Sequence, residues 1–283
     1  MDGALLEHAI GQLRRAGAGE PVRCKVCGGD TTMFDVVDFA KSCDEGLYPA
    51  GLAAVPVYYR RCRDCSFIFT DFFDDFAPQQ WRAHLYNDDY YQRVDPAYLD
   101  RRPASNAHGV DRLLRRYKSQ VIGLDYGGGS GRTCERLREL GYAFDVYDPF
   151  GERRLTPEYA GRYNFCTAFE VAEHVPDPRG FIGAIVEMAS KERLAILIGT
   201  QLHDGIVTNA SRLSWWYAAP RNGHISIYSR RSMEILARQF GFDYTRLSPR
   251  THLFTRQWSS AQAWWFLARG KVAARLDRLV AAH

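Results

Sequence analysis

The sequence predicts an α/β fold: an open, mostly parallel sheet flanked by helices, preceded by a small β-rich module. Three observations carry this. A short apolar run, Val121–Asp125, is followed by Gly127, Gly128, Gly129 and Gly131, then by a helical stretch from Arg132 that stops at Gly141. A second short strand, Phe144–Tyr147, ends in Asp148, and further apolar runs at Phe165–Val171 and Ala195–Thr200 alternate with helical periodicity. Two C-x-x-C pairs, Cys24/Cys27 and Cys62/Cys65, bracket residues of β type.

Taken in order, residues 1–20 give an N-terminal helix, because Leu5, Leu6, Ala9, Ile10 and Leu13 fall on one helical face. Residues 21–76 form a small ribbon with strands at Phe34–Phe39 and Val55–Tyr59 and a bulging loop near 42–51. Two C-x-x-C turns can present four thiolates to one tetrahedral metal, which fits structural Zn2+; a redox-active pair is the rival reading. A metal would substitute for the core that so short a segment lacks. Residues 77–118, rich in aromatics and arginine, form a helical bridge or lid. Residues 119–258 form the α/β core. Asp177-Pro178 starts one helix with an N-cap and an N1 proline, and Ser229 caps another that ends at Gly241. Only residues 149–162 separate Asp148 from the next strand, too short for a helix–strand–helix unit, so the sheet's usual third strand is expected to be missing or vestigial. Residues 259–283 form a C-terminal helix whose basic and tryptophan-bearing surface suits packing on the core or a homodimer, with a membrane surface as the alternative.

Composition limits the function classes. A chain of 283 residues with 46% hydrophobic residues can bury a sizeable core, in about two domains by length. A net charge of +4 does not imply a nucleic-acid partner. No apolar run reaches the ~20 residues of a transmembrane helix. The N-terminus lacks the pattern of a secretory signal. Seven cysteines are few for a disulfide scaffold, and a reducing cytoplasm is the natural compartment.

A glycine-rich turn after one strand and an acid at the tip of the next make a nucleoside-binding, Rossmann-like layout. Two cofactor classes share it. A dinucleotide turn would read G-x-G-x-x-G. Here the spacing is Asp125-x-Gly127-x-Gly129-x-Gly131. That pattern resembles motif I of the class I S-adenosylmethionine (SAM)-dependent methyltransferases, and Glu170-Val171-Ala172-Glu173-His174-Val175-Pro176-Asp177-Pro178 resembles the segment that follows their fourth strand. With the C-x-x-C-G…C-x-x-C module ahead of it, residues 22–245 are similar to the deoxysugar C-methyltransferase branch. The resemblance implies SAM and structural zinc as cofactors, and a small-molecule acceptor such as a sugar, nucleotide sugar or glycan precursor. That branch carries a further C-terminal domain not matched here, so O- or N-methylation is the near alternative. RNA modification, gripped by the ribbon and Arg101–Arg116, and a non-catalytic binding module are the rival functions.

The site residues follow from the same layout. Asp125, Gly127, Gly128, Gly129 and Gly131 form the loop that admits the cofactor, Asp148 is placed to accept ribose hydroxyls, and Pro149 and Phe150 are expected to flank adenine. Glu170 lies at the end of a strand, where it can meet cofactor or substrate. Methyl transfer needs alignment and removal of one proton, a task suited to histidine. His224 is the expected base; the resemblance implies a Glu-His pair at this segment, and Gly223 stands where the glutamate would be. His174 is expected to orient the substrate or cap a helix. Tyr90 and Tyr91 resemble a tyrosine pair that closes the site, and Trp215, Trp216 and Tyr217 can wall a sugar pocket; as aromatics, all five can equally be packing residues. Cys43, Cys134 and Cys166 read as plain thiols.

Overall fold

The structure, a computed structural model, describes residues 3–17, 21–44, 51–95, 101–150, 161–190 and 192–257. The expected C-terminal helix, and with it the proposed dimer surface, lies outside them. The described residues fall into two compact units. One draws on Met1–Pro96, Glu173–Arg179 and Gln201–Leu236, the other on Ala97–Ala172, Gly180–Thr200 and the residues from Ala237 onward.

The second unit is the α/β core. Its strands are β4 (Ile122–Tyr126), β5 (Ala143–Tyr147), β6 (Phe165–Phe169), β7 (Leu194–Gly199), β9 (Asp243–Ser248) and β10 (Thr251–Arg256), in the spatial order β5-β4-β6-β7-β10-β9. The first four run parallel, and β10 runs antiparallel to both β7 and β9. Every residue of β7 is buried, as a central strand covered on both faces requires. Helix α4 (Arg132–Glu139) connects β4 to β5 and α5 (Pro178–Met188) connects β6 to β7, while α3 (Arg101–Leu114) precedes β4. Leu113, Leu114, Leu137, Phe144 and Phe165 sit in one core cluster. Among the described residues no strand lies between β5 and β6 and β5 is the edge of the sheet; residues 151–160, where the expected loss of a third strand would be decided, lie outside the described residues.

The first unit holds the β-rich module. Strands β1 (Thr31–Asp38), β2 (Pro56–Cys62), β3 (Ile68–Phe69) and β8 (Ser226–Ile227) form one antiparallel sheet in that order. The last strand was not foreseen: Ile68 pairs with Ile227 and Phe69 with Ser226. The core is shared in the same way. Phe34, Val57, Tyr59, Phe72 and Trp81 pack with Leu213, Ala218, Ile225 and Ile227, and Leu5 and Ala9 of α1 (Gly3–Gly17) join them. Chain far along the sequence therefore completes the ribbon's core. Helix α2 (Pro78–His84) and a π-helical turn at Tyr90–Val94 follow the ribbon, and α6 (Arg230–Gln239) follows β8. Ser229 caps α6 as expected, with Ser229 and Ser232 exchanging backbone-to-hydroxyl bonds of 2.9 and 3.0 Å. Among the described residues no helix is long and apolar enough to cross a membrane.

Asp125 sits at the heart of the core. Its carboxylate is buried and accepts a 2.6 Å bond from the Thr167 hydroxyl, its register partner on β6. Burial raises its pKa to about 7, against the Thr167 bond and with help from the charge of Asp148. A carboxyl raised in this way stabilises the fold fully below its unfolded value near 4, and that contribution is lost as pH rises through about 7. Asp125→Asn should therefore lose less stability than the parent between pH 5 and 8, measured by urea unfolding at each pH. Parallel pH profiles would contradict the assignment.

Candidate active site

The glycine loop between β4 and α4 explains its own spacing. Gly127, Gly129 and Gly131 have φ of 70°, 51° and 80°, the left-handed region that favours glycine. A Cβ on Gly127 would also meet Val171 Cγ2 at 2.6 Å. Gly128 is constrained differently: a Cβ there would stand 2.6 Å from both Asp125 Oδ2 and Val146 Cγ2. The buried Asp125 thus shapes the loop from beneath. Gly131 is the N-cap of α4 and offers no side chain there, so backbone N–H groups mark the helix start. The Gly129 N–H donates to Asp148 Oδ2 at 2.9 Å, and the Phe150 N–H donates to Asp148 Oδ1 at 2.8 Å. Asp148 is the knot of the loop. Phe150 beside it is 59% exposed, an unusual place for a large apolar ring and a suitable one for a flat ligand.

Glu170 closes β6 with φ 55°, a strained conformation for a non-glycine residue of the kind that concentrates at functional sites. Its N–H donates to the Gly199 carbonyl, and its carboxylate pairs with Arg102 of α3 at 3.1 Å. Arg102 and Thr167 have no motif to announce them.

In the other unit, the remaining expected site residues come together. The rings of His174 and His224 lie 4.9 Å apart, with Tyr217 4.2 Å from His224 and Tyr86 6.3 Å from His174. Tyr90 stacks edge-on against Tyr86 at 5.2 Å and against Tyr91 at 5.3 Å; Trp215 and Trp216 flank Tyr217 at 5.1 and 5.4 Å. Tyr90 and Tyr217 are buried, whereas Trp216 is exposed. His224 is buried, and its Nδ1 lies 2.8 Å from the Tyr217 carbonyl and 3.6 Å from Cys43 Sγ. A carbonyl can only accept, so Nδ1 carries the proton and Nε2 the lone pair. Nδ1 of His174 lies 3.1 Å from the Gly223 carbonyl and 3.2 Å from Tyr86 Oη, which fixes the same tautomer. The buried Glu173 accepts a 2.6 Å bond from the Tyr217 hydroxyl. Cys43, read as a plain thiol, and Tyr86, unremarked in sequence, belong to this cluster.

Gly223 leaves no room for a side chain. Its φ is 80°, and a Cβ would stand 2.9 Å from Tyr86 Oη and 3.0 Å from His174 Nδ1.

The four cysteines also converge. Sγ of Cys24 lies 3.6 Å from that of Cys65, Sγ of Cys27 lies 3.4 Å from that of Cys62, and all four fall within 4.8 Å of one another. A tetrahedral zinc with Zn–S of about 2.3 Å sets its sulfurs about 3.8 Å apart, so the set fits that ion. Both knuckles turn alike: Gly28 and Ser66, each following its second cysteine, have φ of 75° and 60°. Cys24 is drawn down to about 5 by its bond from Cys65, with burial opposing, so a thiolate forms readily here; burial pushes Cys27 up to about 11.

A family profile described as "Methyltransferase domain" matches residues 98–247. No curated protein matches the chain. Solved structures similar to it include a magnesium protoporphyrin IX methyltransferase from Synechocystis PCC 6803 with bound S-adenosylhomocysteine, at 14% identity and TM-score 0.41, covering 65% of this chain and 95% of that one. A possible histamine N-methyltransferase from Thermotoga maritima is similar at 12% identity and TM-score 0.37, covering 56% and 94%. A SAM-dependent methyltransferase from Aquifex aeolicus is similar at 14% identity and TM-score 0.36, covering 64% and 98%.

Gly223→Ala should cost about 1–3 kcal/mol, the usual range for a side chain forced into this backbone region, and more if Tyr86 and His174 cannot give way. Urea unfolding measures it, and an unchanged midpoint would refute the steric account.

Proposed function

Because the chain belongs to the methyltransferase-domain family, it is a methyltransferase, and we propose that it moves the methyl group of SAM to a hydroxyl-bearing small molecule, a sugar, nucleotide sugar or glycan precursor. The observation that carries the donor assignment is the Asp148 knot. A carboxylate has about four lone-pair positions, and two are engaged by Gly129 and Phe150. The other two suit a ribose diol, while Gly127, Gly128, Gly129 and Gly131 give the backbone approach that the amino-acid end of SAM requires. Pro149 and the exposed Phe150 suit adenine, and Glu170 and Asp148 supply negative charge for a sulfonium cation.

Transfer from a sulfonium needs little covalent help: the acceptor oxygen attacks the methyl carbon as the C–S bond breaks, and the acceptor's proton must leave. His224 and His174 are the groups for that proton, since both present Nε2 lone pairs in the tautomer their carbonyl partners fix. Glu170, on its strained backbone, helps hold donor and acceptor. Tyr90, Tyr91, Trp215, Trp216 and Tyr217 form the aromatic surroundings suited to a sugar ring. Zinc on Cys24, Cys27, Cys62 and Cys65 is structural in this reading: four thiolates leave no open position for chemistry. Seven cysteines, four of them in C-x-x-C pairs suited to zinc, fit a reducing cytoplasm.

Calorimetry tests the donor. SAM should bind, and Asp148→Ala should weaken it by about 1.5–3 kcal/mol, the worth of hydrogen bonds to a charged group. Binding of NAD without SAM would overturn the assignment, and binding of neither would favour a non-catalytic module. For the ribbon, elemental analysis should find zinc in equimolar amount with the chain. Cys27→Ser should lose that zinc and lower the thermal midpoint, because metal affinity is folding energy at such a site; a metal-free protein with an unchanged melt would refute this role.

A further inference from the structure

We propose that Glu173, His174 and His224 form a second metal site, distinct from the cysteines, that takes a divalent first-row cation such as Mn2+. A carboxylate oxygen of Glu173 and one ring nitrogen from each histidine lie within 4.8 Å of one another. Two imidazoles and one carboxylate make a hard-to-borderline donor set, unlike the soft four-thiolate set of the knuckles, and leave coordination positions open.

The surroundings of the three residues are those of a built site. A metal-binding histidine donates its other ring N–H to a carbonyl or carboxylate, which fixes the ring and points the remaining lone pair at the ion. Both histidines have that support: Nδ1–H of His224 donates to the Tyr217 carbonyl at 2.8 Å, and Nδ1–H of His174 faces the Gly223 carbonyl at 3.1 Å. Glu173 is supported from the Tyr217 hydroxyl at 2.6 Å. The backbone is pinned as well. Tyr59 Oη donates to the His224 carbonyl at 2.9 Å, and the Ile225 N–H donates to the Glu173 carbonyl at 2.9 Å. Glu173 is wholly buried and His224 nearly so. A cation among them would place a positive charge directly beside the buried carboxylate.

The site explains how the proton of the acceptor could leave. This role, though not the site itself, rests on the methyl transfer proposed above. A hydroxyl bound at an open position of the cation loses its proton to solvent at a lower pH than a free one. The resulting alkoxide forms the new C–O bond as the C–S bond breaks and its electron pair returns to sulfur. His224 and His174 would then act as ligands, and the metal would do the work otherwise assigned to an imidazole base.

The experiment is a Mn2+ titration of the full chain as purified, with its zinc retained, followed by electron paramagnetic resonance. A single tight Mn2+ per chain is expected, with pulsed spectra showing nitrogen couplings from imidazole. His174→Ala and His224→Ala should each weaken binding by more than the roughly 10–100-fold that loss of a mere supporting partner costs, with zinc content unchanged. Should either variant fail to fold, the imidazole couplings in the parent decide. No Mn2+ binding, binding without nitrogen couplings, or binding that survives both substitutions would overturn the site. SAM calorimetry on the same samples separates the two proposals: SAM binding without Mn2+ binding sinks the metal site alone, and the reverse sinks the donor assignment alone.

Discussion

The pairing of β3 with β8 is the constraint on which the first unit depends. It takes only two residues on each side, Ile68–Phe69 and Ser226–Ile227, yet it binds chain separated by more than half the sequence. Its neighbours extend the seam: Thr70 N–H donates to the Ile225 carbonyl, Tyr59 Oη to the His224 carbonyl, and the Ser229 hydroxyl to the Cys65 carbonyl. His224 therefore stands two residues before a strand of the cysteine ribbon's own sheet. Whatever stabilises that sheet bears on the position of the His224 imidazole. His203 adds to the seam, its Nε2 meeting the Ser66 carbonyl at 2.8 Å while burial lowers its pKa against that bond.

In the α/β core the corresponding constraint is steric. The glycine loop is squeezed between Val171, Val146 and Asp125 and tied down by Asp148. Three glycines are needed for left-handed backbone and the fourth for want of space, which is why substitution at any of them would act through a different term. Arg102 and Glu170 show the other side of such a site: a strained strand end held by an ion pair.

Much of this was legible in the chain. Periodicity located β4, β5, β6 and β7 to within a residue or two, since buried parallel strands are short continuous apolar runs bounded by turns. The cysteines could be grouped because C-x-x-C fixes two donors per turn. Other features were not accessible. Residues Ser226–Ile227 are too few to show a period of two, so β8 left no signature, and with it went the knowledge that His224 is braced by the ribbon. The reading of Cys43 as a plain thiol, and the silence on Tyr86, have a related cause: each gains its surroundings from chain more than 80 residues away, and spacing carries no such information. Gly223 looked like a lost helper; only the nearness of Tyr86 and His174 shows that a side chain there would collide.

The interrupted course of the first unit bears on how the protein is made. Its opening segment ends at Pro96 and its last segment begins at Gln201. At roughly 5–20 residues per second, a ribosome takes on the order of 5–20 s to cross that interval. Throughout it the nascent ribbon has β3 as a bare edge and a half-filled aromatic core, the state most open to pairing with the wrong chain. The cysteine knuckles, complete by residue 65, can close early, together with the pairing of β1 with β2 and of β2 with β3. On the zinc reading proposed above, cellular zinc supply would bear on the yield of native protein during synthesis more than on the activity of molecules already folded.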